Sequence, residues 1–336
     1  MFGLGNVGGA LARRLVEDAD RITMAAGRPI ALESIAVAHP EGRRAPAPLL
    51  PAAQLLALPH LDALVEVIGG LEPASTYIST ALQAGRQVIT ANKQLIAAQG
   101  PRLARLGPLR FEASVASAIP IVEALAETLG ADRIGSIMGI LNGTTNAILA
   151  AMGGGASYAV ALADAQRRGL AEADPSADVD AHDPAAKLAI LAMLAFRLRI
   201  DPSHIERVGI RDVGLEQIEE ARSRGFAIKL IAAATTHDGD RIEADVRPRL
   251  VPLDAPMAGV HGAMNAIAVD AEYAGSLLFE GPGAGPDAAA SAVLADLIRA
   301  AKDMPATAGS LLATLGDGPP ASLVPLGPKN PYPAAS

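Results

Sequence analysis

The sequence predicts an α/β protein, with a doubly wound parallel sheet in its N-terminal part and an α+β domain after it. Three observations carry this. A glycine fingerprint opens the chain, short apolar runs alternate with helical stretches as far as residue 113, and from about residue 114 helices give way to a series of strands. A length of 336 residues fits about two domains of roughly 150 residues each. The 50% hydrophobic and 19% charged content is that of a globular chain. A net charge of −8 and a pI near 5.3 argue against nucleic acid and anionic membranes as partners. The absence of cysteine excludes disulfides, thiolate metal sites and a cysteine nucleophile. The densest apolar run, Leu188–Phe196, is far shorter than the about 20 residues of a membrane span. With no signal-peptide pattern either, a soluble, cytoplasmic protein is expected.

Taken in order, Gly3-Leu4-Gly5-Asn6-Val7-Gly8 fits G-x-G-x-x-G and runs into an apolar helix over Ala10–Val16. The first glycine allows a tight turn, the second lets backbone approach a pyrophosphate, and the third lets helix pack on strand. Only Met1 and Phe2 precede it, where a strand of about five residues is expected. The natural protein is therefore expected to begin upstream, with a truncated first strand here. Ser34–Ala38 and Ala63–Ile68 read as the next strands, the latter ending in Gly69-Gly70. Thr76–Ala84 is a helix closed by Gly85, Gln87–Thr90 a strand, Ala91-Asn92-Lys93 a helix start, and Leu109–Ala113 a further strand. Strands separated by helices of about ten residues imply the parallel, Rossmann-type sheet, whose ligands lie past the carboxyl ends of the strands. Gly3–Gly8, Gly69-Gly70 and Ala91–Lys93 all fall at such ends. No acid stands at the end of the second strand. His39, Arg43 and Arg44 stand there instead, which suits a 2′-phosphate, although solvated loop charges fit as well.

Beyond residue 114, Ile119–Leu129 has a helical pattern with Pro120 in its first turn. Gly135–Leu141 is a strand running into Asn142-Gly143-Thr144-Thr145-Asn146, and helices follow over Tyr158–Arg168 and Pro184–Arg197. Phe226–Thr235, Ile242–Leu250, Asn265–Tyr273 and Ser276–Glu280 read as strands. Gly281–Gly285 opens a helix through Ala300, and the tail from Ala306 reads as poorly ordered. Polar chemistry concentrates in GLAEADPSADVDAHDPAAK, residues 169–187, which holds Glu172, Asp174, Asp178, Asp180, Asp183 and Lys187. Asp183-Pro184 reads as an N-cap followed by the first helical position, with Lys187 one turn in on the same face. A lysine beside carboxylates at the mouth of an apolar helix can be tuned as an acid or orient a carbonyl. The same spacing also fits a plain cap and a solvated i,i+4 pair. The calcium-loop, Ser-His-Asp, HExxH and P-loop patterns are absent.

The motifs Val67–Gly70 (VIGG), Ala91–Lys93 (ANK), EASVA at 112–116, GILNGTTN at 139–146, the 169–188 stretch and GPGAG at 281–285 decide among these readings. Through them the chain resembles the homoserine dehydrogenase family from Gly3 to about Leu297. The resemblance implies NAD(P)-dependent interconversion of L-homoserine and L-aspartate 4-semialdehyde, in a homodimer or homotetramer. It divides the chain into a dinucleotide-binding domain (1–118), a substrate-binding and dimerisation domain (119–282), a returning helix (283–305) and a tail (306–336). It implies Lys187 as proton donor or acceptor at the substrate oxygen, assisted by Lys93 and oriented by Asp183. Glu172, Asp178 and Asp183 hold the substrate with Gly143 and Thr144. Gly3, Gly5, Asn6, Val7, Gly8, Arg43, Ile68, Gly69, Lys93 and Gly283 bind NADP, or NAD. A sodium or potassium ion is implied at Glu112, Val115, Ser117 and Ile119, where Ser117-Ala118 replaces the family's usual Gly-Gly. A C-terminal ACT domain of the kind carried by feedback-controlled members is not expected. A non-catalytic coenzyme-binding sensor and a dehydrogenase of another small amino or hydroxy acid are the rival readings. The intact acid–lysine set argues against the sensor.

Overall fold

In the computed structural model of the chain, which describes residues 1–237, 241–303 and 322–323, the N-terminal sheet is organised around Phe2. The elements of this part are α1 (Asn6–Glu17), α2 (Ala19–Ala26), α3 (Ala52–Leu56), β1 (Ala63–Glu66), α4 (Ala74–Gln83), β2 (Gln87–Thr90), α5 (Lys93–Ala104) and β3 (Leu109–Arg110). Phe2 pairs in parallel with Ala36 on one side and Glu66 on the other, and Ile35 pairs in parallel with Leu49. With β1, β2 and β3 adjacent and parallel, the lateral order is 49, 35–36, 2, β1, β2, β3. That is the 3-2-1-4-5-6 order of a doubly wound dinucleotide fold. The run expected over Ser34–Ala38 pairs only at Ile35 and Ala36, and the strand expected to reach Ile68 ends at Glu66.

Met1 to Gly3 fill the central position. Phe2 N–H donates to Val65 O at 2.8 Å and Gly3 N–H to Ala36 O at 2.9 Å, while Phe2 O accepts from Val67 N–H at 2.9 Å. The Phe2 ring is buried and stacks on Tyr77 with centroids 4.4 Å apart. Gly3 takes φ +99°, and α1 lies so close that a Cβ on Gly8 would stand 2.4 Å from Gly3 O. Gly8→Ala therefore has to push helix from turn. It is expected to cost about 1–3 kcal/mol, the range of overpacked sites. Denaturant unfolding checks this, and unchanged stability would mean that α1 can ride outward freely.

The second part contains α6 (Ile121–Glu123), β4 (Ile134–Ile140), α7 (Gly143–Gly153), α8 (Tyr158–Arg167), α9 (Ser176–Val179), α10 (His182–Phe196), β5 (Glu206–Arg207), α11 (Leu215–Ser223), β6 (Phe226–Thr236), β7 (Arg241–Pro252), β8 (Met264–Ala271), β9 (Gly275–Pro282), α12 (Pro286–Lys302) and β10 (Ser322–Leu323). The helix expected over Ile119–Leu129 is a single turn at α6 that widens into a π-helical turn over 124–128, closed by Leu129 N–H on Ala124 O. The strands form one mixed sheet in the order β10-β7-β6-β4-β8-β9, with β5 also on β7. Alternate residues of β6 serve two cores, as strand geometry requires. Ile228, Leu230, Ala232 and Ala234 join the helical side with α10, whereas Ile231 and Ala233 pack with Ile140, Val251, Met257 and Val260. α12 returns to the first sheet, where Val293, Leu294 and Leu297 pack with Leu11 and Leu15 of α1. The expected tail, 306–336, lies outside the described residues except at Ser322–Leu323. Among the described residues no helix is long and apolar enough to cross a membrane.

Candidate active site

α10 is apolar all round and buried along most of its length, so the polar residues of its first turns are carried into the interior. It begins two residues earlier than the sequence suggests, at His182 rather than Pro184. Ala181, at φ +63°, is the residue before the helix, and Asp183 lies inside its first turn without capping it. Freed from that task, the Asp183 carboxylate pairs with two lysines. Lys187 Nζ lies 2.8 Å from Oδ2, and Lys93 Nζ, brought in from the start of α5, lies 2.5 Å from Oδ1. Lys187 Nζ also donates to Leu141 O at 2.8 Å, at the end of β4. Asp183 and Lys187 are each 8% exposed, so this cluster is shielded from solvent while Lys93 keeps an open side.

Burial by itself favours a neutral Asp183. Lys187 and Lys93 outweigh it and hold the carboxyl well below the usual carboxylate range. Burial likewise opposes the charge of Lys93, but Asp183, with smaller pulls from Asp178 and Glu172, raises its pKa. Burial pushes the Asp178 carboxyl up, and the charge of Asp183 adds to it, against the hydrogen bond from Asn142.

Asn142 ties these groups together. Its Oδ1 caps α7 by accepting from Thr145 N–H at 2.9 Å, while Nδ2 donates to Asp178 at 2.6 Å and to Asp183 at 2.9 Å. Thr144 Oγ1 donates to Leu170 O at 2.7 Å, which pins the acidic loop to α7. At Gly143 a Cβ would stand 2.6 Å from Ala263 O, so this position serves close packing. Glu172 is exposed on the loop, within electrostatic reach of Lys93.

The glycine turn and the loops past β1 and β2 border the same end of the first sheet. Gly5 precedes α1 with open space where a Cβ would project, and no side chain caps that helix. The first N–H groups of a helix have no partner within it, and they lie here with Asn6, Val7 and Gly8. The open room at Gly5 and the uncapped N–H groups fit a dinucleotide pyrophosphate. Arg43 reaches back to this turn, with Nη1 3.3 Å from Leu4 O, and with Arg44 it lines a groove of about 470 Å³ that includes Leu4 and Gly9. Ile68 and Gly69 form the loop after β1. Gly283 lies against Asn265, whose Oδ1 would be 2.1 Å from a Cβ at that position.

The candidate ion-binding stretch follows β3. The Glu112 carboxylate accepts the N–H groups of Val122 and Glu123, both at 2.9 Å, and burial pushes it up to about 7. Ala116 and Ser117 take φ +54° and +50°, and Val115 and Ile119 are buried beside them.

Three residues of this site have no role in the sequence pattern alone. Asn142 is legible as a helix cap ahead of Gly143. Glu66 is an acid inside an apolar strand, which is itself an anomaly to explain. Asn265, fully buried with Nδ2 3.2 Å from Leu141 O, carried no local signal.

Residues 3–108 match the family model described as the NAD binding domain of homoserine dehydrogenase, and residues 120–298 match the homoserine dehydrogenase model. The chain is 44% identical over 317 residues to homoserine dehydrogenase of Corynebacterium glutamicum, covering 90% of this chain and 71% of that protein. The crystal structure of a homoserine dehydrogenase from Thiobacillus denitrificans superposes with a TM-score of 0.89 at 37% identity, over 96% of this chain and 78% of that one. A hyperthermophilic archaeal homoserine dehydrogenase in complex with NADPH gives a TM-score of 0.71 at 25% identity, over 89% and 95% of the two chains.

Proposed function

The chain belongs to the homoserine dehydrogenase family, and from that premise we propose how its own residues carry out the reaction. It is an NAD(P)-dependent oxidoreductase acting on a CH–OH group, converting between L-homoserine and L-aspartate 4-semialdehyde. The observation that carries the assignment of roles is Asp183 clamped between Lys187 and Lys93 beside the coenzyme-facing loops.

Lys187 moves the proton at the substrate oxygen. Its ammonium is fixed by Asp183 and Leu141 O, which leaves one N–H to meet the substrate oxygen. Lys93 supports it as a fixed cation where alkoxide charge develops, and needs no reorganisation during the reaction. Glu172 and Asp178 receive the substrate ammonium, with Thr144 and Gly143 shaping the turn beside them. When bound, the nicotinamide coenzyme supplies the two-electron exchange with the substrate carbon. Gly3, Gly5, Asn6, Val7 and Gly8 hold its pyrophosphate, and Ile68, Gly69, Lys93 and Gly283 border its nicotinamide end.

NADP is the preferred coenzyme in this reading. Support comes from Arg43 and Arg44 lining the groove beside Leu4, with no acid on the second strand to receive a ribose hydroxyl. Replacing both arginines by alanine is expected to raise the Kd for NADPH by about tenfold or more, the range of lost charge-assisted bonds, with little change for NADH. Fluorescence titration with both coenzymes checks this, and equal effects would remove the arginines from phosphate recognition. The same reading includes the division at residues 118, 282 and 305 and a homodimer or homotetramer in the cytoplasm. It also includes a sodium or potassium ion on the carbonyl groups of Glu112, Val115, Ser117 and Ile119. The left-handed backbone at Ala116 and Ser117 supports the ion site, because it turns successive carbonyls away from an extended course. The deciding assay is NADPH oxidation with aspartate semialdehyde, run beside other aldehydes and keto acids.

A further inference from the structure

Glu66 closes β1 and is fully buried, yet no lysine or arginine forms an ion pair with it among the described residues. Its partners are three hydrogen-bond donors. Oε1 accepts from Ile68 N–H at 2.8 Å and Gly69 N–H at 3.0 Å, and Oε2 accepts from the Thr90 hydroxyl at 2.5 Å. Thr90, equally buried at the end of β2, accepts Asn92 N–H on Oγ1 at 3.0 Å. Asn92 caps α5 by accepting Leu95 N–H at 3.1 Å, and it returns across the gap by donating Nδ2 to Gly70 O at 2.6 Å. The ring of bonds is closed. It starts in the loop after β1, crosses to β2, reaches the residue before Lys93, and comes back to the loop.

A buried carboxylate is costly, and two paired parallel strands need no such group to hold them together. What it does here is local. Gly69 and Gly70, at φ +76° and +74°, have no side chains of their own to fix the loop, and Glu66 supplies the fixed acceptor that does so. We propose that Glu66 is a positioning residue that, through Thr90 and Asn92, holds the coenzyme-facing loop at Ile68–Gly69 in register with Lys93. This deepens the assignment of Lys93 and Gly69 given above and rests on it. A displacement of about 1 Å between reacting groups is enough to cost on the order of 10²-fold in rate, so a lost bond in this ring should be read in chemistry before it is read in binding.

The test uses the full chain with Glu66→Gln, Thr90→Val and Thr90→Ser. Glutamine keeps an acceptor for the loop but presents N–H groups to the Thr90 hydroxyl, whose hydrogen then has no acceptor. Valine removes the hydroxyl and serine restores it. Glu66→Gln and Thr90→Val are expected to lower kcat by about 10–50-fold, with the NADPH Kd within about threefold of the parent and a larger isotope effect on transfer of deuterium from the coenzyme. Thr90→Ser is expected to stay within about threefold of the parent in kcat. Should Glu66→Gln fail to fold, the threonine pair decides the matter alone. A kcat near that of the parent in Thr90→Val overturns the proposal. So does a parallel fall of kcat, coenzyme affinity and thermal stability that serine does not rescue, which is the mark of a merely structural role. Lys93→Met in the same assays separates this from the underlying reading: full turnover there would fail the assignment of Lys93 itself, whatever Glu66 does.

Discussion

Lys187→Met is expected to lower turnover by about 10²–10⁴-fold, the range of a lost proton-transfer group. Coenzyme affinity should change little. The glycine turn and Arg43 stand on other elements, and the fold has reason to survive the change. Asp183 keeps Lys93 as its partner, and Leu141 O keeps the Asn265 amide, so neither buried acceptor is left empty. Methionine also fills much of the lysine stem's volume in a buried helix. Single-turnover kinetics with homoserine, beside a coenzyme titration, checks both halves of the expectation. Turnover near that of the parent would remove Lys187 from the mechanism.

Asp183→Asn should be damaging in two ways. Lys187 and Lys93 lose their shared counter-charge, and a buried ammonium left without its partner costs about 3–5 kcal/mol of stability. Turnover should fall by about 10²-fold or more, because the proton-transfer group is no longer oriented or electrostatically tuned. The stability effect carries a pH signature. The Asp183 carboxyl is held below its unfolded value, so the stabilisation is fully present above about pH 4, the unfolded carboxylate range. It is lost as pH falls from there towards the lower folded value. Denaturant unfolding of parent and variant should therefore show a stability gap that is constant above about pH 5 and narrows below about pH 4. A gap that stays constant to acid pH would mean that the carboxylate charge is not what the lysines require.

Much of this protein is local in origin. The alternation of apolar runs and helices, the glycine turn ahead of α1, the Asn92 start of α5 and the four-residue spacing of Asp183 and Lys187 are each properties of neighbouring residues. Backbone sterics and helix geometry act over that range, so the sequence by itself determined the doubly wound class and the lysine–carboxylate pair. Element ends were less legible. The strand at 34–38 shrinks to two paired residues, because strands far along the chain settle where pairing stops, and the helix at 119–129 has its first N–H groups taken by the Glu112 carboxylate and widens into a π-helical turn over 124–128.

What the tertiary structure decided is which distant groups share a site. Asp183 fits the pattern of a helix cap, and only the arrival of Lys93 from 90 positions upstream and of Asn142 from the end of β4 turns it into the centre of an ion cluster. Glu66, Thr90 and Asn92 stand on separate stretches of chain, and they form a ring only because two parallel strands end side by side. Asn265 reaches Leu141 O across 124 positions of chain. Local spacing fixes which face of an element a side chain takes. The packing of elements against one another fixes what that face meets, and the buried charges of this site are stable only where that packing supplies their partners.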